Sequence, residues 1–449
     1  MTYSTAAGSD LPEESSLDQC MAPLLRSVRT VTQRGRVVQA LGTTVRVSGV
    51  HARIGQQCRI IDRDSGKGLI AEVVGLSDGQ AILLPLASLQ GVAVDAEVEV
   101  LQERSTVPFG TGLLGRVIDS FGKPLDDRPL PAGLTEQALY TEAPNPLRRK
   151  PIDSAFATGV RAVDAMLTVG VGQRMGVFAM AGGGKSTLLG MLARQATADV
   201  NVIALVGERG REVREFLEDS LGEQGLRRSV IVVATSDRPA MERVRAAQAA
   251  TAIAEGFRAQ GKRVMLLMDS VTRFARALRE VGLSVGELPV RRGFPPSVFA
   301  ELPRLFERSG NDARGSITAF YTVLSEDEDG SDPVAEEVRS ILDGHIVLSR
   351  KLGQAGHYPA IDVLGSTSRV FTRIAEPAHQ EAAVHLRALL AKHAEIEFLL
   401  QVGEYKAGSD PIADEAIEKL HAIHGLLRQH PDEAAALDET IAQLQDIAQ

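Results

Sequence analysis

Ala179 to Thr187, spelled AMAGGGKST, carries the strongest chemical signal in the chain. Gly182, Gly183 and Gly184 let successive backbone N–H groups turn inward around phosphate oxygens, where side chains would block the approach. Lys185 then brings a point charge to the β and γ phosphates, and Ser186 offers a hydroxyl to Mg²⁺. A helix starting there aims its positive end at the same anion. Ala181, Gly182, Gly183, Gly184, Lys185, Ser186 and Thr187 are therefore the expected nucleotide-binding set. Ala179 stands where the pattern GxxxxGK[ST] has its first glycine. That departure is mild, because the glycine only tightens the turn leaving the strand and alanine is small.

Two carboxylates could complete such a site. Arg263 to Met268 is an apolar strand pattern ending in Asp269, the place where an aspartate holds the Mg²⁺ shell in P-loop enzymes. An apolar strand ending in Asp is also plain turn chemistry; its place downstream of a P-loop in one α/β domain favours the metal role. Glu208, in Val206-Gly207-Glu208-Arg209-Gly210-Arg211-Glu212, follows the next strand at the sheet edge where open α/β folds bind ligands. There a carboxylate could polarise a water attacking the γ-phosphate. Spacing alone equally allows a solvated, mixed-charge loop.

The elements that must position these residues are legible as texture. Apolar runs at Met175–Phe178, Val200–Val206, Val230–Ala234, Val264–Met268 and Ile317–Leu324 alternate with helix-patterned stretches such as Pro239–Gln260, which predicts a mostly parallel sheet covered by helices. Between Gly35 and Leu101, short β-branched runs separated by Gly and Asp-Gly turns predict a small antiparallel β-barrel. Gly-rich Pro108–Gly122 and the proline-rich Pro124–Pro151 have no helical period and are expected to be a linker wrapping onto the next domain. From about Glu376 the chain turns rich in Ala, Leu, Glu and His, as a helical domain requires. The expected organisation is a flexible tail over 1–25, a β-barrel over 26–104, linker and α/β domain over 105–375 and a helical domain over 376–449.

Composition narrows the function classes. At 449 residues with 44% hydrophobic and 24% charged side chains, each domain can bury its own core without disulfides or structural metals. A net charge of −9 argues against nucleic acid as the main partner. Cys20 and Cys58 stand alone, without CxxC or a His at ligand spacing, which suits a reducing compartment. The first residues lack a basic start and an apolar core, and no apolar run approaches the roughly 20 residues needed to span a bilayer. Neither signal peptide nor transmembrane helix is expected.

Longer stretches make the chain recognisable. LRRKPIDSAFATGVRAVDAMLTVGVGQRMGVFAMAGGGKSTLLGM, ALVGERGREVREFLEDSLG, LLMDSVTRFARALREVG, RRGFPPSVFAELPRLFERSG and DGHIVLSRKLGQAGHYPAIDVL resemble the ATPase of type III secretion systems. That family is similar in turn to the catalytic β subunit of rotary ATP synthases. The resemblance runs from about Arg34 through GEYKAGSDP at Gly403–Pro411, and AGGGKSTLL resembles the injectisome more than the flagellar branch. It implies a RecA-like P-loop core and ATP hydrolysis with Mg²⁺. It further implies a homohexameric ring at the cytoplasmic face of the inner-membrane export gate, with stalk and stator proteins, effectors and their chaperones as partners. Glu208 then matches the catalytic glutamate and Arg209 its partner. Arg369, in Gly365-Ser366-Thr367-Ser368-Arg369, matches an arginine finger reaching the neighbouring subunit's site. Tyr358 matches an aromatic that stacks on adenine; a core tyrosine with a wet hydroxyl is its other reading. RRGFPPSV at Arg291–Val298 suits an exposed rigid loop, facing a ring pore through Phe294 or forming a surface turn. Three alternatives stay open: a flagellar export ATPase, a rotary ATP synthase catalytic subunit, and a non-catalytic nucleotide-binding ring subunit. In the last, the base position carries Gln where this chain has Glu208.

Overall fold

The structure is a computed structural model describing residues 34–62, 66, 68–101, 105–180, 182–324 and 332–449. The expected tail over 1–25, Cys20 and Ala181 lie outside the described residues. Six strands form a closed antiparallel barrel in the order β1-β2-β5-β4-β3-β6: β1 (Arg34–Leu41), β2 (Thr44–Ser48), β3 (Gln57–Ile61), β4 (Gly68–Ser77), β5 (Gln80–Pro85) and β6 (Glu97–Val100). Alternation drives it, since Val37, Val45, Val47, Cys58, Ile60 and Val98 point inward while their chain neighbours are more exposed. Closure leaves no strand edge exposed. The Cys58 thiol belongs to this core, and burial pushes its pKa up to about 11.

The segment after the barrel differs from the expected linker. β7 (Thr106–Phe109) pairs with β9 (Thr135–Ala138), and between them β8 (Arg116–Asp119) joins the central sheet in parallel with β14 (Ser229–Ala234). Its four residues, flanked by Gly115 and Ser120, are too few to show a periodicity in sequence. Arg116, its first residue, is fixed by a two-pronged ion pair with Asp126 at 2.7 and 2.9 Å. That pair holds the Asp126 carboxyl well below the usual range. β10 (Ala155–Phe156) and β11 (Val169–Gly170) form a short ribbon on either side of α1 (Arg161–Met166).

The central sheet runs β19-β18-β12-β17-β15-β13-β14-β8. Its members after β8 are β12 (Arg174–Ala179), β13 (Val200–Val206), β14, β15 (Arg263–Asp269), β17 (Ser316–Leu324), β18 (Gly344–Leu348) and β19 (Ile361–Ser368), with β16 (Gly310–Asn311) beside β17. All pairings from β18 to β8 are parallel, while β19 runs antiparallel to β18. β13 and β14 are buried at every position, as a sheet covered on both faces requires. The connecting helices are α2 (Lys185–Gln195), α3 (Gly210–Glu215), a π-helical turn Phe216–Leu221, α4 (Gly222–Arg227), α5 (Ala240–Ala259), α6 (Val271–Ser284), α7 (Pro296–Glu307), α8 (Pro333–Ile341), α9 (Arg350–Gln354) and α10 (Phe371–Ile374). Alanines at 246, 247, 249, 250, 252 and 254 on α5 are fully buried and let that helix lie close on the strands.

α11 (Pro377–Gln401), α12 (Pro411–Leu427) and α13 (Leu437–Ala448) form the helical domain. Leu386, Leu389, Ile423, Leu427 and Leu444 share one core with α1 and α2. Arg387 reaches across to the carbonyls of Val363 at 2.5 Å and Met166 at 2.8 Å. Among the described residues no helix is long and apolar enough to cross a membrane.

Gly190 shows how tightly α2 is seated. A Cβ there would lie 2.4 Å from the Ser220 carbonyl oxygen in the π-helical turn. A helix-interior glycine costs about 1 kcal/mol against alanine, so its presence reflects that approach. Gly190→Val is expected to destabilise the chain by about 1–3 kcal/mol through overpacking, read as a lowered urea midpoint. An unchanged midpoint would show that the turn is not packed as described.

Candidate nucleotide site

β12 delivers the chain to the glycine loop from the middle of the sheet. Gly182 and Gly184 both have φ of +80°, a left-handed conformation that L side chains rarely adopt, and the Gly183 N–H donates to the Met180 carbonyl at 3.1 Å. The turn they make starts α2 at Lys185, with the first-turn N–H groups facing a cavity of about 440 Å³. Gly182 to Thr187, Glu208, Asp269 and Arg273 line it, and Phe216 and Leu324 are among its apolar walls.

Each charged group sits at the C-terminal end of a parallel strand. Lys185 follows β12, Glu208 follows β13, and Asp269 ends β15. Lys185 Nζ lies 2.6 Å from Asp269 Oδ1 and 3.4 Å from Glu208 Oε1. Asp269 also accepts the Thr322 hydroxyl from β17 at 2.7 Å. Both carboxylates are nearly inaccessible, at 5% for Glu208 and 3% for Asp269. Buried charges on this scale need mutual compensation. Burial works to lower the Lys185 pKa, but Asp269 and then Glu208 outweigh it and the net direction is upward.

Glu208 behaves differently from an ordinary carboxylate. Burial first, then the charge of Asp269, then a hydrogen bond with Glu212 push its pKa up to about 7, against the pull of Lys185 and Arg273. Glu212 is lowered first by the same hydrogen bond. A carboxyl titrating near neutrality in a cleft is suited to general-base work.

Arg209 is not beside Glu208. At the N-cap of α3 its side chain turns outward, 75% exposed, and pairs with Glu212 at 3.0 Å. The cation beside Lys185 at Glu208 is Arg273, in the first turn of α6, with Nε 3.3 Å and Nη2 3.4 Å from the carboxylate. The available sequence signal was its position four residues after Asp269, which α6 turns back toward the strand ends. Tyr358 is half-exposed rather than a core residue, and its ring lies 3.5 Å from the position a Cβ on Gly184 would take. Its carbonyl accepts the Gln429 N–H of the helical domain at 2.9 Å.

Arg369 is remote from the loop of its own chain. Its N–H bonds the Asp343 carbonyl, before β18, whereas β18 meets the loop strand through Leu348 and Ala179. That is a separation of about 16 Å along the strand, and the Arg369 side chain is exposed. Phe294 corrects another expectation. It is 8% exposed and packed against Phe299, with centroids 6.3 Å apart, under the Arg279 guanidinium at 5.4 Å. The aromatic is buried, and the exposed apolar side chains nearby are Leu288 and Val290.

Comparison with known proteins agrees with this architecture. Residues 37–102 match the ATP synthase alpha/beta family β-barrel domain, 159–368 its nucleotide-binding domain, and 375–446 the T3SS EscN ATPase C-terminal domain. The chain is 52% identical to the type 3 secretion system ATPase of Xanthomonas euvesicatoria, over 97% of this chain and 99% of that protein. It is 50% identical to the flagellum-specific ATP synthase of Bacillus subtilis, over 91% and 94% respectively. Among solved structures, the assembled ATPase EscN of the enteropathogenic E. coli type III secretion system superposes with a TM-score of 0.87 at 45% identity. It covers 92% of this chain and all of that one. EscN in complex with its central stalk EscO gives 0.86.

The electrostatic setting of Glu208 is directly testable. Glu212→Gln is expected to lower the Glu208 pKa below about 7, and Arg273→Met to raise it, since one substitution removes a raising and the other a lowering influence. Carboxyl NMR of labelled glutamate reads both. Unchanged titration in both variants would refute the arrangement.

Proposed function

The chain belongs to the type III secretion ATPase family, and on that footing we propose that it works as a homohexamer, hydrolysing ATP to ADP and phosphate to release chaperones from exported effectors and unfold them. The observation that carries the catalytic reading is the convergence of Lys185, Asp269 and Glu208, with Lys185 at 2.6 and 3.4 Å from the two carboxylates. Phosphoryl transfer asks for positioning and charge stabilisation more than covalent chemistry. In this reading Lys185 and the loop N–H groups of Gly182 to Thr187 hold the phosphates, and Tyr358 flanks the base. Glu208 takes the proton of the attacking water, and Arg273 holds Glu208 in place.

Ser186 and Asp269 are the residues that would hold Mg²⁺. Mg²⁺ favours one or two carboxylates plus substrate phosphates over an all-protein cage. Among the described residues there is no cluster of three or more His, Cys, Asp or Glu suited to a metal, and Asp269 and Ser186 both line the loop cavity. When bound, the metal neutralises charge on the β and γ oxygens.

Arg369 supports the ring. It cannot reach its own loop, and in a head-to-tail ring the adjacent subunit's site is where its charge would act. EscN is assembled and binds a central stalk. The exposed Phe398, Val402 and Ile412, at the α11–α12 tip, give such a stalk an apolar surface here. Stator proteins, effector chaperones and peripheral contact with an inner-membrane export gate complete the proposed setting in the cytoplasm.

Glu208→Gln is expected to lower turnover of the assembled ring by about 10²- to 10⁴-fold while leaving nucleotide affinity intact. Undiminished turnover would overturn the assignment. In the unsubstituted protein kcat/KM should rise with pH through about 7, as Glu208 loses its proton and becomes competent as a base. Specific activity should also climb with protein concentration. A constant value from monomer to oligomer would remove the case for a neighbour's arginine.

A further inference from the structure

Arg369 is a surface arginine, and a finger is useful only if its guanidinium is held in one place. The backbone beneath it is fixed. The Arg369 N–H donates to the Asp343 carbonyl at 2.9 Å. The Asp343 carboxylate is gripped by Arg174 through its backbone N–H at 3.1 Å, Nε at 3.0 Å and Nη2 at 3.1 Å. The side chain has a single described anchor, Nη2 donating to the Arg339 carbonyl at 3.3 Å.

That carbonyl lies in the last turn of α8, where carbonyls lack helical partners and carry the negative end of the helix dipole. The N–H four residues on, at Asp343, goes instead to the Arg174 carbonyl at 2.9 Å. The carbonyl is thereby left for Arg369. The Arg339 side chain adds a second tether from this helix end to the central sheet. Its guanidinium lies over the Phe178 ring, 4.7 Å from the centroid. Phe178 is on β12, one residue before Ala179, and its ring meets His345 edge-on at 5.8 Å. His345 Nε2 is in turn 3.1 Å from the Gly365 carbonyl, on the strand leading to Arg369.

Neither arginine has a carboxylate partner among the described residues. Burial and the two guanidinium charges hold His345 below its ordinary pKa. The cluster gathers positive charge with no carboxylate of the described residues against either guanidinium.

We infer that Arg339 is a positioning residue for Arg369: stacked on Phe178, it tethers the helix end whose carbonyl aims the Arg369 guanidinium at the neighbouring subunit's nucleotide. The inference rests on the proposed role of Arg369 between subunits. It also ties the finger serving one site to the strand that carries the subunit's own glycine loop.

The test uses assembled full-length rings. Arg339→Ala should lower kcat on the order of 10- to 100-fold, as expected when a reacting group is misplaced, with KM within about twofold. Phe178→Leu, which keeps the core apolar and removes the ring face, should lower kcat in the same direction. The decisive arm mixes Arg339→Ala subunits with Lys185→Ala subunits, whose own site is dead but whose Arg339 and Arg369 are intact. Turnover per Arg339→Ala site should recover toward the unsubstituted value. Failure to recover would place the effect within the subunit's own loop and overturn the inference, as would an undiminished kcat in both single variants. Arg369→Ala run in parallel separates the two readings. Its full activity would sink the finger itself, whereas its loss and rescue with no effect at Arg339 would sink only the positioning role.

Discussion

One ammonium lies between two buried carboxylates, with the Arg273 guanidinium on the far side of Glu208, and the architecture can be read as the means of keeping these charges together. Lys185, Asp269 and Glu208 come from segments widely separated in sequence, and each is nearly cut off from solvent. Leaving any one of them without its counter-charge would cost about 3–5 kcal/mol. A parallel sheet meets that demand without special devices, because its strand ends lie at one edge and its neighbours are about 4.8 Å apart. Thr322, on the strand between β12 and β15, adds the hydroxyl that occupies the Asp269 oxygen facing it.

The same arrangement sets the chemistry available. Burial and the neighbouring charge of Asp269 outweigh Lys185 and Arg273 and raise the Glu208 pKa to about 7. Arg273 then matters in two ways. It limits how far that pKa rises, and it fixes the orientation of the carboxyl from the start of α6. Glu208 is thus held where small changes in charge alter its protonation, which is the condition for moving a proton with little penalty.

Much of this was legible in sequence because the signals are local. Glycines that need positive φ, an apolar run closing on a carboxylate, and the alternation of Val and polar residues in the barrel each report on the residues that carry them. The partner of Glu208 was not local. Arg209 is adjacent in sequence but turns outward at an N-cap, while Arg273 arrives from another segment through the direction of α6. Phe294 lies among prolines and arginines that suggest an exposed tip, yet the ring folds under Arg279 and against Phe299. Arg369 shows the limit from the other side. Its neighbours in sequence say nothing of its use, and only the resemblance singled it out.

β8 has a consequence for the order in which the chain matures. The barrel closes with its own strands, so it can form as soon as it is synthesised. β8 follows immediately, but its sheet partner β14 starts at Ser229. Synthesis at about 5–20 residues per second therefore leaves Val117 and Ile118 waiting several seconds or more for their neighbour. This outermost strand is the first of the sheet to be made, yet three later strands of the same sheet must be synthesised before its partner is complete. The barrel, tethered through that strand, is anchored to the sheet only after β14 has emerged.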